Sequence, residues 1–147
     1  MKNLITYLRE NSHPERLSYF IKPEQSKHES IRKRIKQNPS LVGITHYEDI
    51  QSFDEVEFPR GDRIQNIYTP DLVFVADSDV YVVEIKAVKS KNTSYSTAEK
   101  LRDAYLFIRS NFDIHPYTLI AFGKNGNELD IRDINFKVQY LDFPKVA

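Results

Sequence analysis

The chain contains no cysteine. A disulfide scaffold and a thiolate-bound metal are therefore excluded. Its four glycines, Gly43, Gly61, Gly123 and Gly126, are isolated, so no glycine-rich loop is present to cradle a phosphate. Neither charge is in excess: 21 Lys and Arg balance 21 Asp and Glu. This is not a generally basic nucleic-acid binder. Any such contact has to come from a local patch, or from a partner or second subunit. No apolar run approaches the length of a membrane span. The opening stretch Met1 to Glu10 breaks its apolar run too early for a signal peptide. A soluble, intracellular, cytoplasmic protein is the simplest expectation. The four histidines, His13, His28, His46 and His115, show no metal-ligand spacing and read as structural or exposed. No nucleophilic triad is readable.

What is present is a length of 147 residues, a hydrophobic fraction of 40%, and nine Phe and nine Tyr, enough for the core of one domain. Leu4, Ile5 and Leu8 suggest a short amphipathic helix. Pro14 can open a second, with Leu17, Phe20 and Ile21 inward. Ser26-Lys27-His28-Glu29 reads as a capping box opening a third, which carries Ile31 and Ile35 and ends near Asn38-Pro39. Strand signals follow. Phe53 to Phe58 reads as one strand turning at Pro59 to Asp62, and Ile64 to Tyr68 continues the meander. Leu72 to Val75 and Val80 to Lys86 flank a turn at Asp77-Ser78-Asp79. Ser96-Thr97-Ala98-Glu99 reads as another capping box, opening a helix with Leu101, Ala104, Tyr105 and Ile108 buried. Tyr117 to Phe122 is an apolar strand, Lys124 to Asn127 a turn, and Val138 to Leu141 a short edge strand. This order predicts an α/β fold, a mixed sheet flanked by helices. It fits a single domain over 1–147, with a helical extension at 1–23, a core at 24–123, and a turn and edge strand at 124–147.

The chemistry is concentrated at Pro70-Asp71 and Glu84-Ile85-Lys86. With a two-residue loop at Asp77-Ser78, opposed residues carry numbers that sum to 155, so Asp71 faces Glu84. Directly opposed side chains have Cβ atoms about 4.5–5.5 Å apart, and like charges there destabilise a sheet. A divalent cation would compensate. Mg²⁺ takes one or two carboxylates, waters and phosphate oxygens. Strand alternation puts Lys86 on the face of Glu84, where it can orient or activate a water. Ile85 points into the core, and its carbonyl can reach the metal. By composition alone, a Pro-Asp followed loosely by acid-x-Lys arises in about one chain in 20 of this length. The spelling decides little by itself. Its setting on two apolar strands around a turn, with a helix after them, adds the weight. The bland alternative is a solvated strand end and an ordinary turn.

At these residues the chain resembles the PD-(D/E)XK nuclease superfamily, on Pro70-Asp71, Glu84-Ile85-Lys86 and the following helix Thr97 to Asn111, over about residues 24 to 123. That superfamily includes restriction endonucleases, Holliday-junction resolvases and NucS-like endonucleases. The resemblance implies a restriction-endonuclease-like core and Mg²⁺- or Mn²⁺-dependent cleavage of DNA phosphodiesters. Asp71, Glu84 and the Ile85 carbonyl would hold the metal. Members often carry a further acid on the first core helix. Glu29 matches best and Glu24 less well, while Glu29 also reads as the third residue of a capping box. Glu29-Ser30-Ile31-Arg32, Asn38-Pro39 and Leu41-Val42-Gly43 are similar to the opening of NucS-like domains. Those often have a glutamine where this chain has Lys100, a departure from that pattern.

The resulting expectation is an endonuclease with Glu29, Asp71, Glu84 and Lys86 as catalytic residues, and DNA held by Lys89, Lys91, Lys100 and Arg102. The loop Lys89 to Ser96 is either a phosphate contact or a solvated loop. The helix stretch Ile31 to Lys36 offers a second basic face, which on a helix is more often the solvent side. A homodimer or a partner subunit would supply further basic surface. The alternatives are a non-cleaving nucleic-acid-binding or assembly module, a nuclease subunit dependent on a partner, and a structural protein whose acids are surface residues.

Overall fold

The computed structural model describes residues 1–13, 23–60, 63–87, 91–124 and 128–136, with 23–26, 63–66 and 91–95 described by their backbone. Among these residues the elements are α1 (Lys2–Asn11), α2 (Pro23–Gln37), a 3₁₀ turn (Pro39–Val42), β1 (Ile50–Asp54), β2 (Phe58–Arg60), β3 (Arg63–Tyr68), β4 (Leu72–Ala76), β5 (Asp79–Lys86), α3 (Lys91–Phe112), β6 (Tyr117–Gly123) and β7 (Leu129–Ile134). The fold is mixed α/β. A five-stranded sheet has the order β1-β4-β5-β6-β7, and β2 with β3 forms a separate two-stranded ribbon. The β5–β6 pair is parallel, joined through α3, and the other pairs of the main sheet are antiparallel.

Apolar side chains on alternate residues bury both faces of the central strands. On one face Val73, Val75, Val80, Val82, Ile120 and Phe122 meet Leu4 and Leu8 of α1 and Leu101, Ala104, Tyr105 and Ile108 of α3. On the other face Leu72, Phe74, Val83, Ile85, Leu119 and Ala121 meet Ile31 and Ile35 of α2, with Val42 and Ile44 beyond it. A strand covered on both sides reads as a continuous apolar run, as β4 and β5 do. Asp77 turns the hairpin between them at φ 51, a left-handed conformation that Asp tolerates. Its carboxylate accepts the N–H groups of Glu48 (3.2 Å) and Asp49 (2.9 Å), which ties the turn to the approach of β1.

Several boundaries differ from expectation. Phe53 to Phe58 is not one strand. Glu55 takes φ 44 after β1 ends at Asp54, so the chain leaves the main sheet and Phe58 starts the ribbon. Pro59 and Arg60 lie within β2 and not in a turn. Neither Ser26 nor Ser96 stands at a helix start. Helix α2 starts at Pro23, a residue suited to the first helical position, and Ser26 lies inside it. Helix α3 starts at Lys91, so Ser96 is also internal and most of the expected Lys89 to Ser96 loop is helical. The local bias of Asn92, Thr93 and Ser94 toward turns is overridden there. Strand β7 was hidden by its charges, Asp130, Arg132 and Asp133, a composition common on sheet edges. The expected helix with Leu17, Phe20 and Ile21, and the expected strand Val138 to Leu141, lie outside the described residues.

Candidate metal centre

The β4–β5 ladder pairs Leu72 with Val83 and Ala76 with Asp79, the register that a two-residue loop at Asp77-Ser78 requires. One step beyond Leu72, Asp71 comes opposite Glu84. Asp71 shares the parity of Val73 and Val75, and Glu84 that of Val80 and Val82, so the two acids lie on the α3 side of the sheet. Both are buried, at 8% exposure each. Here the side chain of Asp71 replaces a ladder bond. The Ile85 N–H donates to Asp71 Oδ2 at 2.7 Å, and the Asp71 carbonyl accepts from the Glu55 N–H at 3.3 Å. The main chain thus fixes where the carboxylate points.

A third group completes the corner. His28 of α2 lies with Nε2 3.0 Å from Asp71 Oδ1 and 3.1 Å from the Ile85 carbonyl oxygen. One ligand atom from each of His28, Asp71 and Glu84 lies within 4.8 Å of the others. On the opposite flank the Tyr68 hydroxyl, at the end of β3, donates to Glu84 Oε2. His28 and Tyr68 are the residues that sequence reasoning passed over. For His28 a signal existed. Residues 28, 31 and 35 fall on one helical stripe, and Ile31 and Ile35 mark it as the stripe that faces the sheet. Tyr68 carries no comparable pattern, because its contact depends on how the ribbon folds back.

The acids titrate apart. Burial first, then the charge and hydrogen bond of Asp71, push the Glu84 carboxyl well above its ordinary value. Burial works the same way on Asp71, but hydrogen bonds from Glu84 and His28 outweigh it, and Asp71 stays below its ordinary value. His28 is raised, chiefly by its hydrogen bond to Asp71 and against the effect of burial. Of the two acids, Glu84 therefore holds its proton more firmly and Asp71 less. Burial, followed by the charge and hydrogen bond of Glu84, raises the Tyr68 hydroxyl well above its ordinary value and keeps it a donor.

The other expected site residues are distributed less tightly. Lys86 continues the parity of Glu84, is half-buried, and its charge bears on that carboxyl. The Ile85 side chain is buried in the α2-side core while its carbonyl faces His28. Glu29 is also buried, but it is paired elsewhere. Arg32 Nη2 donates to its Oε1 at 2.5 Å and Arg32 Nε to its Oε2 at 3.0 Å. The same guanidinium reaches Asp54 Oδ1 at 2.5 Å, and Lys36 Nζ holds Asp54 Oδ2 at 2.6 Å. Lys100 and Arg102 are both exposed on α3. Two residues apart, they project about 200° from one another around the axis and do not form one patch. Lys91 lies in the first turn of α3, with its side chain undescribed, and Lys89 lies outside the described residues. Glu24 falls in the backbone-only part of α2.

No protein-family model and no curated protein matches the chain. Among the described residues no helix is long and apolar enough to cross a membrane.

Proposed function

We propose that the protein is a divalent-cation-dependent endonuclease that hydrolyses DNA phosphodiesters on a restriction-endonuclease-like, PD-(D/E)XK-type core. The observation that carries this reading is the convergence of donor atoms from buried Asp71 and Glu84 and half-buried His28 within 4.8 Å of one another. Burial and the charge of Asp71 favour the protonated form of Glu84, which marks a site short of positive charge. The donor set fits a divalent ion. Two carboxylates suit Mg²⁺ or Mn²⁺, and one imidazole nitrogen favours Mn²⁺. His28 Nε2–H now donates to Asp71 and to the Ile85 carbonyl, so it has to give up that proton to act as a ligand.

A bound divalent cation supplies phosphate polarisation and a water of lowered pKa. The chain's own groups do the rest. Asp71, fixed by the Ile85 N–H, holds its charge in place. Lys86 sits on the same face and is half-buried. There it can orient the attacking water and neutralise the charge that develops on the phosphate oxygens. DNA affinity at zero net charge calls for local basic groups; Lys100 and Arg102 are exposed but on different sides of α3, so a second subunit or a partner would have to add surface.

The test is a cleavage panel of single strands, duplex, flaps and four-way junctions with Mg²⁺ or Mn²⁺, alongside calorimetric Mn²⁺ titration. Asp71→Asn should lower cleavage by about 10³-fold and Lys86→Ala by about 10²–10⁴-fold, with Mn²⁺ binding lost in the first and kept in the second. Mn²⁺ failing to bind the wild-type protein would sink the metal centre. DNA binding that is indifferent to Asp71→Asn, with no cleavage of any substrate, would identify a binding module instead.

A further inference from the structure

We infer that Tyr68 is a positioning residue that fixes Glu84 so that it offers one oxygen, and not two, to the cation. This rests on the metal-centre reading above. The physical need is plain. Glu84 is a long side chain with three rotatable bonds, at a point where Asp71 is already oriented by a main-chain N–H. Among the described residues no main-chain N–H donates to the Glu84 carboxylate. Its orientation comes from the Tyr68 hydroxyl on Oε2 and from its contact with Asp71.

The hydroxyl is well suited to this task because it donates whether Glu84 is protonated or ionised. It can therefore keep Oε2 in place with or without a cation beside Glu84. The same carboxylate offers an oxygen within 4.8 Å of donor atoms of Asp71 and His28. A carboxylate free of such a tether would gain freedom to rotate and to chelate through both oxygens.

Tyr68 is itself held from three directions. Its ring is buried at 5% exposure among the residues of the α3-side core. It pairs across the ribbon with Phe58. Phe58 packs edge-on against Phe107 of α3 with ring centroids 5.8 Å apart, and Arg60 Nε bonds Asp103 Oδ2 of α3 at 2.7 Å. The short ribbon thus has a use beyond covering the core. It carries one hydroxyl from the α3 layer to the end of β5.

The experiment is Tyr68→Phe, which keeps the ring and removes the hydroxyl. Loss of a group that orients a metal ligand costs about 10–100-fold in affinity. Calorimetric titration should show Mn²⁺ binding weakened by that factor. The Mn²⁺ concentration for half-maximal cleavage should rise in step, with cleavage largely recovered at saturating Mn²⁺. A merely structural role would lower the thermal midpoint in EDTA and leave the affinity of the folded protein unchanged. Unchanged affinity in folded Tyr68→Phe overturns the inference alone, whereas no Mn²⁺ binding by the wild type overturns the metal centre itself. A crystal structure of the wild-type protein with Mn²⁺ decides the matter even if the variant does not fold. Glu84 bound through one oxygen, with Tyr68 on the other, supports the role. Glu84 chelating through both, with Tyr68 released, overturns it.

Discussion

Two clusters of buried charge meet at α2, and they are balanced differently. In one, Glu29 and Asp54 are matched by Arg32 and Lys36, with every contact between 2.5 and 3.0 Å. In the other, Asp71 and Glu84 have no Arg or Lys ion pair among the described residues, and a partly exposed histidine lies 3.0 Å from Asp71. The first cluster can be dried out as it stands. In the second, burial and the neighbouring acid favour the protonated form of Glu84, where a cation would supply the missing positive charge. Burial alone does not separate a structural carboxylate from a ligating one. The local sum of charge does.

The largest effect expected from this contrast is on stability. Arg32→Ala removes the cation that bonds both oxygens of the buried Glu29 and leaves buried Asp54 with Lys36 alone. Breaking such a group costs about 3–5 kcal/mol, measured by urea unfolding. Glu84→Gln, by contrast, removes an acid that already prefers its proton. It should leave stability near that of the wild type or slightly higher in EDTA. A Glu84→Gln penalty as large as that of Arg32→Ala would mean that the two clusters are of one kind.

A smaller effect separates the clusters by pH. The folded-state value of Glu84 is raised, so its stabilising contribution is complete below the ordinary carboxyl range. That contribution is lost as pH climbs through the raised value. His28, also raised, acts in the same direction. Asp71 is lowered, so its contribution is present above the ordinary range and disappears only as pH falls through the lowered value. In EDTA these groups make the folded state lose stability from pH 5 toward pH 8. Mn²⁺ should reverse the trend, because the protons it displaces are held less firmly at high pH. At 100 times its dissociation constant a cation adds about 2.7 kcal/mol. The Mn²⁺ increment in unfolding free energy should therefore be larger at pH 8 than at pH 5. An equal increment at both would show that the cation does not compete for the Glu84 proton.

What was legible in the chain follows the range of the interactions. The β4–β5 register was readable because Asp77-Ser78 fixes it locally and every residue of both strands repeats the same alternation. The stripe Leu101, Ala104, Tyr105 and Ile108 was readable for the same reason, since spacing within one helix decides burial. The helix starts were not. Ser26 and Ser96 have the spelling of caps, yet chain before them is helical as well, and tertiary packing outweighs a cap preference of about 1 kcal/mol. Tyr68 was illegible because the left-handed turn at Glu55 diverts the chain into a ribbon, and no local pattern announces where that ribbon docks. His28 was legible only jointly with Ile31 and Ile35, as part of a face.

Glu29 gives the finest test of the contrast. Its one-residue offset from His28 turns it about 100° around α2, and both of its oxygens are engaged by Arg32. To ligate a cation it would have to release a guanidinium that is itself buried against Asp54. Glu29→Gln keeps one acceptor for Arg32 and leaves Asp54 in place, so the stability cost should be about 1–2 kcal/mol. Its Mn²⁺ affinity should fall by well under the tenfold that marks even a group that orients a ligand. Calorimetric titration of the variant beside His28→Ala reads the difference directly. If Glu29→Gln loses tenfold or more while His28→Ala loses less, then the acid on α2 belongs to the metal centre and the histidine does not. The line between the balanced and the unbalanced cluster would then have to be redrawn through Arg32.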